Sequence, residues 1–421
     1  MIAWILATGD EVVSGAIEDT NSAFIARALL EQGFRVERHL SVGDDLEALA
    51  QVFSEIGQAA DVCVASGGLG PTEDDLSAEA AAKAAGVGLS LDAEAMAWIE
   101  GLYKAMGREM DPSNRKQAYL PASALRLDNP MGTAPGFSMD IGKCRFFFVP
   151  GVPREMERMV EKEVIPRIRL MERRPLEVLR TRNVRTFGGT EAWVGHSMSG
   201  LEMEVPGLKL GFRAVFPEVQ VKLYVRALEA SEANRILALG TDRVSRRLGD
   251  RVFSLDGEPL EAVVGNLLRS RNETLALAES CTGGLVAHRI TGVSGSSDYF
   301  LLSAVTYANT AKVRILGVSA KTLADHGAVS EETAQEMAEG ARKAVGATWG
   351  LSTTGIAGPG GGTEEKPVGT VCVGLAGPAG VRSFRFLFPF PERDRNMAIF
   401  ATTALDVLRR AMAGLPDPAY G

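Results

Sequence analysis

The sequence predicts an α/β protein built from more than one domain. Short apolar runs such as residues 2–8 and 61–65 read as buried strands rather than half-exposed ones. Segments with helical apolar spacing alternate with these runs, the pattern of a parallel sheet covered on both faces. The chain has 421 residues, more than the ~100–200 usual for one domain.

Taken in order, residues 2–8 form a first strand that runs into Gly9. Residues 21–32 follow as a helix with apolar Phe24, Ile25, Ala28 and Leu29, stopped by Gly33 at the C′ position. Residues 35–40 are strand-like, and Asp44 or Asp45 caps a helix running through Ile56. Residues 61–65 give a second buried strand, residues 75–85 a helix, and residues 144–149 a strand that closes this block before the loop 150–153. The composition turns basic at 167–174, as at an exposed helix end. Residues 178–186, 208–212 and 218–228 then read as strands, with helices at 191–199 and 231–248, an α+β module. Residues 252–258 read as an acidic linker. A second α/β block starts at residue 260, with strands at 274–278, 300–307, 348–354, 369–375 and 381–388. Its later helices fall at 283–291, 309–316, 331–345 and 395–412. The segment 323–330 reads as a turn and helix cap.

Composition excludes several classes. The net charge is −8 and the pI about 5.3, which argues against a protein that coats nucleic acid. A nucleotide-sized ligand held by backbone amides remains compatible. The cysteines at 63, 144, 281 and 372 form no C-x-x-C pair, against a structural zinc site. No run approaches the ~20 apolar residues of a membrane span, and residues 1–11 lack the basic start of a secretory leader. The expectation is a cytoplasmic protein with free thiols and no membrane partner.

Three loops at predicted strand ends carry unusual chemistry: 8–11, 66–75 and 148–156. Ligands of open α/β sheets sit at that edge. Gly67, Gly68 and Gly70 stand just before a helix, where amides point at a phosphate. Glu73, Asp74 and Asp75 would repel a bare phosphate, so a divalent cation bridging carboxylate and phosphate is expected. For one loop alone, tight turns and helix caps suffice; three at one edge point to a pyrophosphate or nucleotide site.

In the second block, Ser280 and Cys281 stand side by side where a strand passes into a helix. A serine hydroxyl needs a base. His288 lies two helical turns on and His326 in a cap, so both read as structural. Lys312 lies on the first turn of a helix, where a lowered pKa would let it accept a proton. The Gly-rich stretch 353–362 offers amides, and Arg393 and Arg395 precede the last helix as candidate phosphate clamps.

The motifs ATGDEVVSGAIEDTNSAFIARAL, SGGLGPTEDD, NPMGTAPGF and FVPGVPREM resemble the N-terminal domain of the CinA (competence/damage-inducible protein A) family, which is similar to molybdopterin-binding domains. The resemblance implies a metal-dependent ADP-ribose pyrophosphatase. Asp10, Glu11, Asp74 and Asp75 would be its metal and catalytic residues, and Gly67, Gly68, Gly70 and Thr72 its phosphate cradle. Ser77 stands where threonine is more familiar. AESCTGG, VTYANTAK, HGAVSEE, TGIAGPGGGTEEKPVGTV and ERDR resemble the C-terminal domain of the same family, which deamidates nicotinamide mononucleotide (NMN). That implies Ser280 as nucleophile, Lys312 as its base, and Tyr307 and Thr354 as assisting residues. Cys281, Thr282, Gly283, Gly355 and Gly358 would line the substrate, with Arg393 or Arg395 on its phosphate. The family's Gly-Asp-Arg is Glu392-Arg-Asp-Arg here, so Asp394-Arg395 fits best and the choice of arginine stays open. The deamidase needs no metal. The resemblance divides the chain into a molybdopterin-binding-like domain (1–170), a KH-like connector (171–250) and a deamidase domain (257–415), and implies a homodimer acting on NMN and ADP-ribose. A competing expectation is a nucleotide- or pterin-binding adaptor tied to competence or DNA damage, with motion across residues 248–258.

Overall fold

The computed structural model describes residues 1–172, 175 and 177–420. Of the basic stretch expected at 167–174, Arg173 and Arg174 lie outside the described residues; the helix Ile165–Met171 precedes them. The chain forms two compact units, Met1–Arg180 with Arg226–Ala233, and Thr181–Val225 with Asn234–Gly421.

The first unit is built on a six-stranded sheet. Its spatial order is Arg35–Val42, Ile2–Thr8, Val62–Ser66, Cys144–Val149, Gly136–Ile141 and Leu125–Leu127. The first four strands are parallel and the last two antiparallel. The purely parallel sheet expected from alternation is therefore corrected to a mixed one. The reason is local: Gly142, at φ 61°, turns the chain between Ile141 and Cys144 with no helix to carry it back. A short hairpin pairs antiparallel. Alternation along Cys144–Val149 sends Phe146 and Phe148 to one core with Phe53 and Phe137, and Phe147 and Val149 to the other with Ile25 and Leu29. Both faces are thus covered, as expected. Asp45 is the residue that caps Leu46–Ala59, accepting from the Ala48 amide at 2.8 Å. The pairings Ala7↔Ser66 and Ser66↔Val149 bring the C-terminal ends of three parallel strands to one edge.

The second unit holds two sheets. One is four-stranded, in the order Leu208–Val215, Glu218–Ala227, Val178–Phe187 and Val252–Ser254. The expected linker at 252–258 is corrected here. Val252 pairs with Thr186 and Ser254 with Arg185, and Phe253 is buried in a core with Phe187 and Leu260. An apolar residue flanked by strand-forming neighbours outweighed the acidic composition that suggested a free segment.

The other sheet is five-stranded, ordered Phe300–Val305, Leu275–Glu279, Trp349–Gly355, Thr370–Gly377 and Gly380–Leu387. The first three strands are parallel and the last two antiparallel. Leu275 and Leu277 pack with Phe400 and Leu405 of the helix Arg393–Ala413, whereas Ala276 and Ala278 face Met337 and Ala341 of Glu331–Val345. The segment expected as a turn and cap contains a further helix, Ala320–His326, and Ser330 caps the next one. His326 ends that helix with its side chain beside Glu332.

Glu331–Val345 lies so close to the sheet that side chains are excluded between them. A Cβ at Gly350 would overlap the carbonyl oxygen of Ala338, and one at Gly374 that of Ala334. Gly374→Ala is expected to lower unfolding free energy by about 1–3 kcal/mol through overpacking, measured by urea denaturation. A change below about 0.5 kcal/mol would show that the helix moves away freely.

Candidate active sites

A cleft of about 520 Å³ opens at the sheet edge of the first unit. Glu11, Asp74 and Asp75 line it, together with Gly67, Gly68 and Gly70, and no Lys or Arg does among the described residues. Asp10 lies alongside: its Oδ1 accepts from the Asp44 amide at 3.1 Å, and Asp44 Oδ2 accepts from the Asp10 amide at 3.0 Å. Asp44, which sequence reading offered only as a helix cap, is thus part of the acidic wall. Burial pushes its carboxyl up, and the charges of Asp10, Glu11 and Asp74 push the same way against the Asp10 amide.

Asp75 has a structural occupation as well. Its Oδ2 accepts from the Thr72 amide at 2.9 Å and the Thr72 hydroxyl at 2.5 Å, so Thr72 faces Asp75. Gly67 and Gly68 adopt φ 113° and 65°, and a Cβ at Gly67 would stand 2.6 Å from the carbonyl oxygen of Thr8. Only glycine fits there. The Gly67 amide completes the sheet by donating to Val149 at 3.1 Å, while those of Gly68, Leu69 and Gly70 have no protein acceptor among the described residues. Two side chains missed by sequence reading, half-buried Asn21 and buried Gln117, shape the same wall. Asn21 Nδ2 bonds Ser66 Oγ at 3.0 Å and Gly151 O at 2.8 Å, tying the loops together. Gln117 Nε2 bonds Leu69 O at 3.2 Å, leaving its Oε1 without a partner. No three His, Cys, Asp or Glu among the described residues form a ready ligand set for a metal.

In the second unit, Ser280 follows the strand Leu275–Glu279, and its amide donates to Thr353 O at 2.9 Å. Lys312, on the helix Asn309–Leu316, lies with Nζ 3.1 Å from Ser280 Oγ. Nζ also donates to Thr306 O at 2.8 Å and Tyr307 O at 3.3 Å. Lys312 is 1% exposed. Burial lowers its pKa from the ordinary lysine value of 10.5, with neighbouring Cys281 acting the other way. Cys281 is itself buried. Desolvation, with the charge of Glu279 adding to it, pushes its thiol up to about 12, so its thiolate is scarce at neutral pH.

The remaining expected residues divide. Arg393 Nη1 donates to Gly358 O at 2.8 Å and Nη2 to the Tyr307 hydroxyl at 3.2 Å, joining the glycine loop to the segment before Lys312. Arg395 instead lies over the rings of Phe216 and Phe390, 4.5 Å from each centroid. Strand alternation separates the two threonines. Thr353 Oγ1 is 2.7 Å from Thr282 Oγ1, in the nucleophile's turn, whereas Thr354 donates to Ala328 O at 2.6 Å. Gly283 and Gly284 turn the chain at φ 62° and 98°. Gly355 packs against Cys281, where a Cβ would stand 3.2 Å from Sγ.

Residues 257–412 match the family model of the CinA C-terminal domain, and residues 4–170 that of a probable molybdopterin binding domain. A CinA-like protein of Desulfosudis oleivorans is 49% identical over 412 residues, 98% of this chain and 100% of that protein. The chain belongs to the CinA-like family. A CinA-like protein of Geobacter sulfurreducens is 46% identical over 409 residues, 97% of this chain and 98% of that one. Among solved structures, the CinA protein of Thermoplasma acidophilum is 36% identical, covers 39% of this chain and 96% of its own, and superposes with a TM-score of 0.37.

The turn after the strand Leu275–Glu279 holds a thiol beside a hydroxyl, and burial keeps the thiol protonated. All four cysteines are buried and free, and burial raises the thiols of Cys63, Cys144 and Cys372 as well. The native protein at pH 7.5 is expected to react slowly with a thiol-exchange reagent, and the unfolded protein to yield all its thiols at once. A rapid native titre assigned to Cys281 by peptide mapping would contradict the buried, protonated thiol.

Proposed function

We propose that the second unit hydrolyses the carboxamide of NMN to nicotinate mononucleotide and ammonia, with Ser280 as nucleophile and Lys312 as general base. The observation that carries this reading is the contact of Lys312 Nζ with Ser280 Oγ at 3.1 Å, made by a buried lysine with a lowered pKa. A neutral amine has two N–H donors and one lone pair. The carbonyls of Thr306 and Tyr307 take the donors, which leaves the lone pair for the Ser280 hydroxyl proton. Ser280 Oγ then bonds the amide carbon while Lys312 holds the proton. Collapse of the tetrahedral adduct passes that proton to the leaving nitrogen, ammonia departs, and an acyl ester remains on Ser280. Water attacks the ester with Lys312 again accepting a proton, and Ser280 is restored. The Cys281 amide is the nearest candidate donor to the oxyanion. Arg393, held at the rim by Tyr307 and Gly358, supplies a cation for the phosphate. Arg395, held against two aromatic rings, is the less available of the two.

For the first unit, the reading is a pyrophosphatase acting on ADP-ribose with a divalent metal ion. Carboxylates crowd a cleft whose lining includes no base among the described residues, which favours a hard cation, although they would have to draw together around it to form a ligand set. Asp10, Glu11, Asp44 and Asp74 would hold the ion, which would neutralise phosphate charge and polarise a bound water. Asp75 would keep the loop closed through Thr72, and the amides of Gly68 and Gly70 would meet phosphate oxygens. The reading further takes the protein to be a cytoplasmic homodimer with residues 171–250 as connector.

Ser280→Ala is expected to lower NMN turnover by more than ~10²-fold, followed as ammonia release, while Cys281→Ala keeps most of it. Equal activity in wild type and Ser280→Ala, or a dead Cys281→Ala, would contradict the assignment. The sign of the pH dependence follows from the base. Lys312 must be neutral to act, so kcat/KM should rise with pH through its lowered pKa and level off before the ordinary lysine range. A rate that falls over this interval would contradict a lysine base. ADP-ribose cleavage should vanish with a chelator and return with a divalent salt, and Asp74→Asn should lower it by at least ~10²-fold; cleavage indifferent to chelator would remove the metal from the scheme.

A further inference from the structure

Glu279, the residue immediately before Ser280, is 1% exposed. Burying a carboxylate costs heavily unless donors surround it. Here they do. Oε2 accepts from the Thr282 hydroxyl at 2.7 Å, the Gly284 amide at 3.0 Å and the Val286 amide at 3.1 Å. Oε1 accepts from the Ala287 amide at 2.8 Å and the Ser303 hydroxyl at 3.4 Å. One side chain thereby gathers a hydroxyl of the turn that carries Ser280 and the amides at its C-terminal end, and binds them to the neighbouring strand. Its backbone reaches the other half of the pair. Glu279 O accepts from the Thr306 amide at 2.8 Å, and Thr306 O in turn holds Lys312 Nζ at 2.8 Å.

We propose that Glu279 is a positioning residue that registers Ser280 against Lys312: its side chain fixes the turn that carries the hydroxyl, and its carbonyl fixes the strand end that carries the amine's anchor. This rests on the reading of Ser280 and Lys312 as a reacting pair. The carboxylate does not touch Lys312, so its effect passes through geometry. The hydroxyl relay strengthens the arrangement. Because Thr282 donates to Glu279, it is left to accept from Thr353 at 2.7 Å, which ties the adjacent strand into the same network. Losing the bond to the Thr282 hydroxyl or to the Val286 amide would leave a buried polar group unpaired.

The test is Glu279→Gln in the full-length protein. The amide keeps the size but turns a donor toward donors on one side. Loosening the pair by about 1 Å is expected to lower kcat on NMN by ~10²-fold while KM stays within about threefold. A fluorophosphonate probe reads the same nucleophile without NMN, and its labelling rate at Ser280 should fall in parallel. Wild-type kcat, or a raised KM at unchanged kcat, overturns the proposal. If Glu279→Gln fails to fold by circular dichroism, Thr282→Val removes one donor and should lower both rates about tenfold; unchanged rates overturn the proposal. If the wild type labels at Ser280 but spares NMN, the substrate assignment alone fails and the labelling rates still decide Glu279. If the wild type neither labels nor hydrolyses NMN, the reacting pair falls and this role falls with it.

Discussion

A lysine amine buried without a carboxylate partner is the constraint around which the second unit is arranged. Nζ of Lys312 meets two carbonyl oxygens and one hydroxyl, which is enough to satisfy an amine but poor compensation for an ammonium. Burial therefore lowers the lysine's pKa and shifts it toward the neutral form, the form that the proposed reaction requires. The cost of burying it is set against a packed frame. The Ser280 amide is fixed to Thr353, the turn is pinned by Glu279, and the strand bearing Thr353 is locked under the helix Glu331–Val345 by Gly350 and Gly374. Electrostatics and packing thus support each other. The frame that excludes water from Lys312 is the frame that aims Ser280 at it.

Both units use the C-terminal edge of parallel strands, with opposite electrostatic character. In the first, three strand ends deliver glycines at positive φ and a wall of carboxylates. Burial raises the Asp44 pKa, and the charges of Asp10, Glu11 and Asp74 add to the rise. Such a wall favours a cation and tolerates phosphate only with one. In the second, the edge holds a buried amine and Arg393 at the rim, which suits an anionic substrate directly. One architectural rule therefore yields two different electrostatic settings, determined by the side chains that each loop carries.

Much of this was legible in the chain. Buried strands announced themselves as apolar runs, Gly33 and Ser330 marked helix limits, and Ser280 with Lys312 stood in long, ordered motifs. What escaped had physical reasons. The antiparallel strand Gly136–Ile141 is set off from Cys144–Val149 only by a two-residue turn, and its neighbour Leu125–Leu127 is three residues long. The strand Val252–Ser254 is three residues long and sits among acids. Asp44, Asn21 and Gln117 act on loops distant in sequence, where periodicity carries no signal. The role of Glu279 depends on amides up to eight residues ahead, which no motif displays. Arg393 and Arg395 are two residues apart on one helix start and look alike in sequence. Their partners separate them, Gly358 and Tyr307 for Arg393 and the rings of Phe216 and Phe390 for Arg395.

The proposed reaction depends on a neutral Lys312 beside Ser280, so titration of that amine is decisive. Protein carrying lysine labelled with 13C at Cε would be followed by NMR across pH, with Lys312→Arg identifying the resonance. One lysine is expected to deprotonate clearly below the range of the others and to be absent from the variant. A Lys312 resonance that titrates with the exposed lysines, near 10.5, would contradict it.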